Sequence, residues 1–491
     1  MGQNSRQRRA SKVKRRQQKR AAGRPPFGGP PPGTGFAAGT DGGFDAWLED
    51  VGKEFGEESV DGFGSSPHAA PPPPVTDALV EQALQTYLTT AGDPSRDHLA
   101  QDAVALLASP GMRARVTVAR VTSQALRSEV AACWLRGWLP LDLSRLLSAA
   151  PDHRLAAVAR DVLYDAMADE IGTHAEVTVD RRYLDQLAGL GARRWWAPDQ
   201  PALLARAERV PPAHGADGWE TTLLAALDVL FNLHHGGTLP LIAAVPGQAS
   251  PVRGGHGEVD ERILERVRNL LAKAESTTFE AEAETFTAGA QSLMARHRID
   301  AAMLAATAPG VQDGVRCARI YVDAPYEGPK VQLLTAIADV NSCRSIWSKQ
   351  LGFVSVVGFP GELVAVETLF TSLLVQATSA MHRHGSRQDQ FGRSRTRAFR
   401  STFLASFGVR IGERLATVTQ EEVQRAQDAA PGGNLLPVLA ARDEQVGATF
   451  GELFPRAMYK RTRLGTDAEG WHAGRRAADT AALEYGAPLM R

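Results

Sequence analysis

The densest run of chemically competent side chains is Gln388 to Arg400, QDQFGRSRTRAFR. Arg393, Arg395, Arg397 and Arg400 alternate there with Ser394, Thr396 and Phe399. Guanidinium and hydroxyl groups in this pattern suit phosphate oxygens, and Phe391 or Phe399 could stack a base. A solvated Arg-rich loop would have the same composition. A second basic run, Met1 to Arg24, holds ten Lys or Arg and no acid. Arg8, Arg9, Lys12, Lys14, Arg15 and Arg16 form its centre. Such arms bind nucleic acid or other polyanions by releasing counterions, and they also occur simply as solvated tails. Of the 55 basic residues, eight are Lys and 47 Arg, and this bias weakens any single Arg cluster as a signal.

The histidines offer a metal site only weakly. His382 and His384 stand two apart, with His472 as a third candidate. Such a pair converges on a strand but diverges on a helix, and HExxH is absent. His234 and His235 are adjacent at a predicted helix end, where imidazolium is favoured electrostatically without any ligand. No metal is therefore expected, and no cofactor is indicated. The turn Phe359 to Gly361, between a strand and a helix, could hold a phosphate, but it carries neither GxGxxG nor a P-loop lysine. No nucleophile elbow, Cys–His signature or zincin motif supports an enzyme.

These residues must be placed by elements, and the clearest are in Asp260 to Leu304. Ile263, Val267, Leu270, Leu271 and Ala274 share one face of a predicted helix. Ser276 to Thr278 breaks it. Thr277 and Glu280 have capping-box spacing, so a second helix is expected to start there, with Phe279, Ala283, Phe286, Ala290, Leu293 and Met294 buried. Asp300 is expected to cap a short third helix. Glu280, Glu282 and Glu284 could act as ligands or acid–base groups, and they also simply oppose the helix dipole. Ser276, His297 and the surplus acids lack an obvious packing role.

The run LLAKAESTTFEAEAETFTAGAQSLMARHRID resembles a bacterial and phage family known only as domain of unknown function 2786. The resemblance rests on Leu270, Leu271, Ala272, Ala274, Glu275, Ser276, Thr277, the acids from Glu280 to Glu284, Ala290, Leu293, Met294, His297, Ile299 and Asp300. The flanking chain also resembles an uncharacterised bacterial group with a basic arm and a Trp-Gly-Trp-Pro-Asp type corner. The family implies no fold, cofactor or catalytic residue.

The rest of the chain reads as mainly α, with a small α+β unit in the C-terminal third and a disordered N-terminal tail. Residues 1–75 are basic, then acidic and rich in Pro and Gly. Residues 76–246 form a helical domain, with Trp134 and Trp138 flanking Gly137 at a packed corner. Residues 258–307 carry the hairpin. Residues 315–428 hold strands at Cys317–Asp323, Cys343–Trp347 and Gly352–Gly358 and helices at Glu327–Val340 and from Pro360 to Met381, a β-α-β-β-α order. Residues 429–491 are a linker and a C-terminal helix from Ala473 to Tyr485. The three cysteines, Cys133, Cys317 and Cys343, are too few and too scattered for a disulfide framework. No uncharged apolar run is expected to span a membrane, since Leu363 to Met381 carries Glu367. A cytoplasmic protein is expected. The leading functional expectation is nucleic-acid-associated binding or an adaptor, beside a protein-interaction module and a metal-dependent hydrolase.

Overall fold

The N-terminal helices follow their caps and stripes. Helix α1 (Asp77–Thr90) starts at Thr76, whose hydroxyl accepts from Leu79 N at 3.4 Å, and it buries Val80, Ala83, Leu84, Tyr87 and Leu88. Helices α2 (Asp97–Ala108), α3 (Met112–Leu135), α4 (Pro140–Leu147), α5 (His153–Ile171), α6 (Arg181–Leu190), α7 (Ala202–Ala207) and α8 (Gly218–His234) follow. The corner between α3 and α4 is the tightest local device. Gly137 adopts φ 84°, and a Cβ there would collide with the Leu239 carbonyl, so glycine is required twice over. Pro140 opens α4 with its preset φ. Trp134 and Trp138 are fully buried, with their indole nitrogens bound to Glu170 and to the Gly237 carbonyl.

A computed structural model describes residues 75–108, 111–147, 153–212, 217–249, 257–276, 280–307, 314–429, 435–457 and 467–479. The family-like segment forms α9 (Gly257–Ser276) and α10 (Glu280–Thr307). Helix α10 runs on through Asp300, so no third helix starts there. Ile299 and Ala302 are buried and keep the same helix against the core, which outweighs the capping tendency of Asp300. Val267, Leu271, Ala290 and Met294 belong to the same apolar core as the sheet, which includes Ile320, Val354 and Val356.

The sheet consists of β1 (Arg316–Tyr321), β2 (Arg344–Ser348) and β3 (Phe353–Gly358), antiparallel in the order β1-β3-β2. Val354 pairs with Ile320 on one side and Trp347 on the other, and β3 is buried along its whole length. Helix α11 (Glu327–Val340) joins β1 to β2, and α12 (Pro360–Arg383) leaves β3. The chain is thus mostly helical with one small sheet near its C-terminal side, as its patterning predicts. By length and composition alone α12 is apolar enough to cross a membrane, even with Glu367 in its sequence. Half of its apolar window is buried within the fold, where Leu363, Val366, Leu369, Phe370 and Leu373 line the core.

The pattern after the Arg-rich run predicts a helix over Ser401 to Leu415. Helix α13 (Thr396–Ala429) is longer and begins before Ser401, because Phe399, Phe403, Phe407, Ile411 and Leu415 recur at helical spacing and are all buried. Composition predicts a linker over Ala429 to Pro437, but helix α14 (Leu435–Leu453) begins within it; Pro437 falls in its first turn, where no intrahelical donor is lost. Helix α15 (Ala468–Asp479) starts five residues before the predicted position. Its small-residue face, Gly470, Ala473, Gly474 and Ala478, lies on α13, and a Cβ at Gly470 would sit 2.6 Å from the Phe399 carbonyl.

One buried polar knot joins the N-terminal helices to the sheet. Arg319 of β1 and Asp142 of α4 form an ion pair with both side chains wholly buried. Asp142 also accepts from Leu139 N and Tyr321 Oη at 2.9 Å each. Arg319 donates to the carbonyls of Gly137 at 2.9 Å and Pro240 at 2.6 Å. Removing one member of such a pair typically costs ~3–5 kcal/mol, because the other charge is left buried and unpaired. All described residues belong to one compact unit.

Candidate nucleic-acid interface

The Arg-rich run forms a small hairpin followed by the first turns of α13. Gln388 and Ser394 bridge as an isolated antiparallel pair, and Asp389 N donates to the Arg393 carbonyl at 2.9 Å. The Asp389 carboxylate accepts from Phe391 N at 2.9 Å and Arg393 N at 2.8 Å, closing the tip. Gly392 supplies the left-handed conformation that this turn needs, with φ 73°. The tip lifts Phe391 into solvent, where it is 73% exposed, with the Arg393 guanidinium 5.9 Å from its ring centroid.

The base of the hairpin is clamped by acids from α15 and the residue before it. Arg395 pairs with Asp467 at 2.7 Å and also with Glu469, while Arg387 pairs with Glu469 at 2.9 Å. Arg387 N donates to Thr396 Oγ1 at 2.9 Å. Its hydrogen bonds to Asp467 and Glu469 hold the Arg395 guanidinium more basic than usual, and the bond it donates lowers the Glu469 carboxyl. Arg395, expected as a phosphate contact, is thus also paired within the fold. Arg400 is half-buried, and its Nε has no hydrogen-bond partner. Arg393 and Arg397 remain exposed, as do His382 and Arg383 at the end of α12. Arg397 occupies the first turn of α13, where the positive end of the helix dipole repels a cation, so its charge has no helical benefit there.

His384 lies beneath this patch, edge-on to Phe399 at 5.5 Å and Phe403 at 5.6 Å. Burial depresses its imidazole, and the charges of Arg387 and Arg476 add to the effect. Among the described residues no three His, Cys, Asp or Glu side chains gather where a metal could bind, so His382, His384 and His472 do not converge as a ligand set. His234 instead bonds Glu129 at 2.9 Å, and His235 bonds the Phe231 carbonyl at 3.0 Å. The turn at Phe359 is likewise filled from within. Phe359 N donates to Glu362 at 2.9 Å, and Glu362 pairs with Arg442 at 3.1 Å, so the chain's own carboxylate caps this helix start, as in an ordinary turn.

The hairpin of α9 and α10 places its residues elsewhere. Ser292 and Arg296 both donate to the buried Glu422 of α13, Arg296 at 2.9 Å, and Arg425 pairs with the same carboxylate. Gln291 donates to Thr419 at 3.1 Å, and Arg298 to Ser342 at 2.8 Å. The half-buried His297 faces the space beside Gly361 at the start of α12, where a Cβ would lie 3.8 Å from its ring. His384 and the Arg-rich hairpin follow the end of α12, and a helix of its 24 residues is about 36 Å long. His297 and the Arg393–Arg400 run therefore share no cleft. Thr277 lies outside the described residues, as do the side chains of Ser276, Glu280, Glu282 and Glu284 and the whole basic arm with Arg8, Arg9, Lys12, Lys14, Arg15 and Arg16.

Sequence reasoning missed Asp467 and Glu469 as clamps and Asp142 with Arg319 as the knot. Only pairing across some 70 to 180 residues could have exposed them. Residues 262–301 match the model of a family described as a protein of unknown function (DUF2786). Neither a curated protein nor a solved structure matches the chain.

Proposed function

We propose that this chain is a nucleic-acid-associated binding or adaptor protein that contacts single strands through the Arg387–Arg395 hairpin. The observation that carries the reading is the solvent-exposed Phe391 at the tip, flanked by exposed Arg393 and Arg397. A lone exposed aromatic on a clamped turn presents a π-face to an unpaired base, and neighbouring guanidiniums meet the adjoining phosphates. The basic arm adds sequence-independent affinity. A cytoplasmic location belongs to the same proposal and is supported by three cysteines that are all free.

The test is fluorescence anisotropy with a labelled single-stranded oligonucleotide. Stacking contributes ~1–3 kcal/mol per base, so Phe391→Ala is expected to weaken binding by roughly 5- to 150-fold. Arg393→Ala with Arg397→Ala should weaken it further. Unchanged affinity in the triple variant would remove the hairpin from the account.

A further inference from the structure

A second site lies on the opposite half of the sequence. A cleft of about 370 Å³ opens between α5 and the segment that follows α6, with α7 closing its floor. The floor is a settled network. Arg206 binds both oxygens of Asp165 at 2.8 Å and reaches Asp161 at 3.2 Å, and Trp195 Nε1 donates to Asp165 at 2.8 Å. The Trp195 ring is itself covered by Arg209, whose guanidinium carbon is 3.5 Å from the ring centroid. Both acids are thus engaged, and no carboxylate is left to attract a cation.

The rim has the opposite character. Arg193 is exposed and forms no ion pair among the described residues. The Arg160 side chain is 54% exposed and, among the described residues, pairs with its own neighbour Asp161, at 3.3 Å. The Tyr164 hydroxyl, 2.9 Å from Ser144 Oγ, is the third polar group of this wall. Two arginines from different elements thus line one cleft together with Tyr164, and Arg suits phosphate recognition through its forked donors. The volume is far more than inorganic phosphate fills and lies at the small end of organic-ligand clefts. From this we infer that the cleft binds a small phosphate monoester, its phosphate on Arg160 and Arg193 and its organic part against Tyr164 and the Trp195 edge. The inference is independent of the proposed hairpin site.

Isothermal titration of the intact chain with ribose 5-phosphate, adenosine monophosphate and inorganic phosphate tests it. At least one monoester should bind with a Kd of about 1 mM or tighter and more tightly than inorganic phosphate. Arg160→Ala/Arg193→Ala should weaken it at least about tenfold, since two charge-assisted hydrogen bonds are lost. Both residues are on the surface, and an unchanged Tm of the free variant shows that it folds. Absence of binding at about 10 mM, equal affinity for inorganic phosphate, or equal affinity in the double variant would each overturn the inference.

Discussion

Glu422 shows how a single side chain ties the family-like hairpin to the rest of the fold. Its side chain is only 3% exposed and receives Ser292, Arg296 and Arg425. Burial pushes its carboxyl up, but the hydrogen bonds from Arg296 and Ser292 and the charges of Arg296 and Arg425 outweigh that, so it titrates below the usual glutamate range. A group with a lowered folded pKa stabilises the native state above its unfolded value, about 4.3, and loses that contribution as pH falls through the folded value. The stability difference between the parent and Glu422→Gln, measured by urea unfolding, should be full near neutral pH and shrink below about pH 4. A difference that is constant or grows on acidification would contradict the pairing. None of this was legible in the sequence. Ser292 and Arg296 stand on the predicted hairpin, but their acceptor lies 126 to 130 residues away. Arg395 is the parallel case: its pattern suggested a phosphate contact, and its acids are 72 and 74 residues off.

At the scale of elements, the seam between α13 and α15 positions the hairpin. Helix α15 can lie close only because Gly470 and Gly474 carry no side chain, and a Cβ at Gly474 would collide with the Phe403 carbonyl and Ser406 Oγ. Overpacking of this kind typically costs ~1–3 kcal/mol. Gly474→Ala should therefore lower stability by that amount. Because Asp467 and Glu469 move with α15, the same variant should also weaken oligonucleotide binding although it touches no ligand. Full affinity in a measurably destabilised Gly474→Ala protein would show that the clamp does not position the tip. Elements with strong periodicity or local turn signals were readable in advance, namely the α3–α4 corner, the three strands and α11. The errors arose where tertiary packing prevailed over local signals: α10 passing Asp300, α13 extending back to Thr396, and α14 starting just before Pro437.

For the molecule as a whole, the formal charge is zero, so affinity for a polyanion depends on where the charge lies. The basic arm and the hairpin are separate in sequence and act on different terms. In the proposed reading the arm would supply electrostatics that respond to salt, and Phe391 stacking that responds little. The Asp142–Arg319 knot explains why neither half needs to be a free-standing module: β1 is fastened directly to the α3–α4 corner. The mainly helical class, the small sheet and the family-like segment were all readable from the sequence. The contacts that unite them were not, because each joins residues far apart in the chain.

The most direct test of the central claim is the affinity of the intact chain for a single-stranded oligonucleotide across a salt series, beside a form lacking residues 1–24. The intact chain is expected to show log K falling linearly with log salt with a slope of about −2 or steeper, as roughly three or more neutralised phosphates require. The truncated form should bind more weakly with a flatter slope, and its remaining affinity should depend on Phe391. Salt-independent binding by the intact chain, or no binding at the lowest salt, would contradict the account.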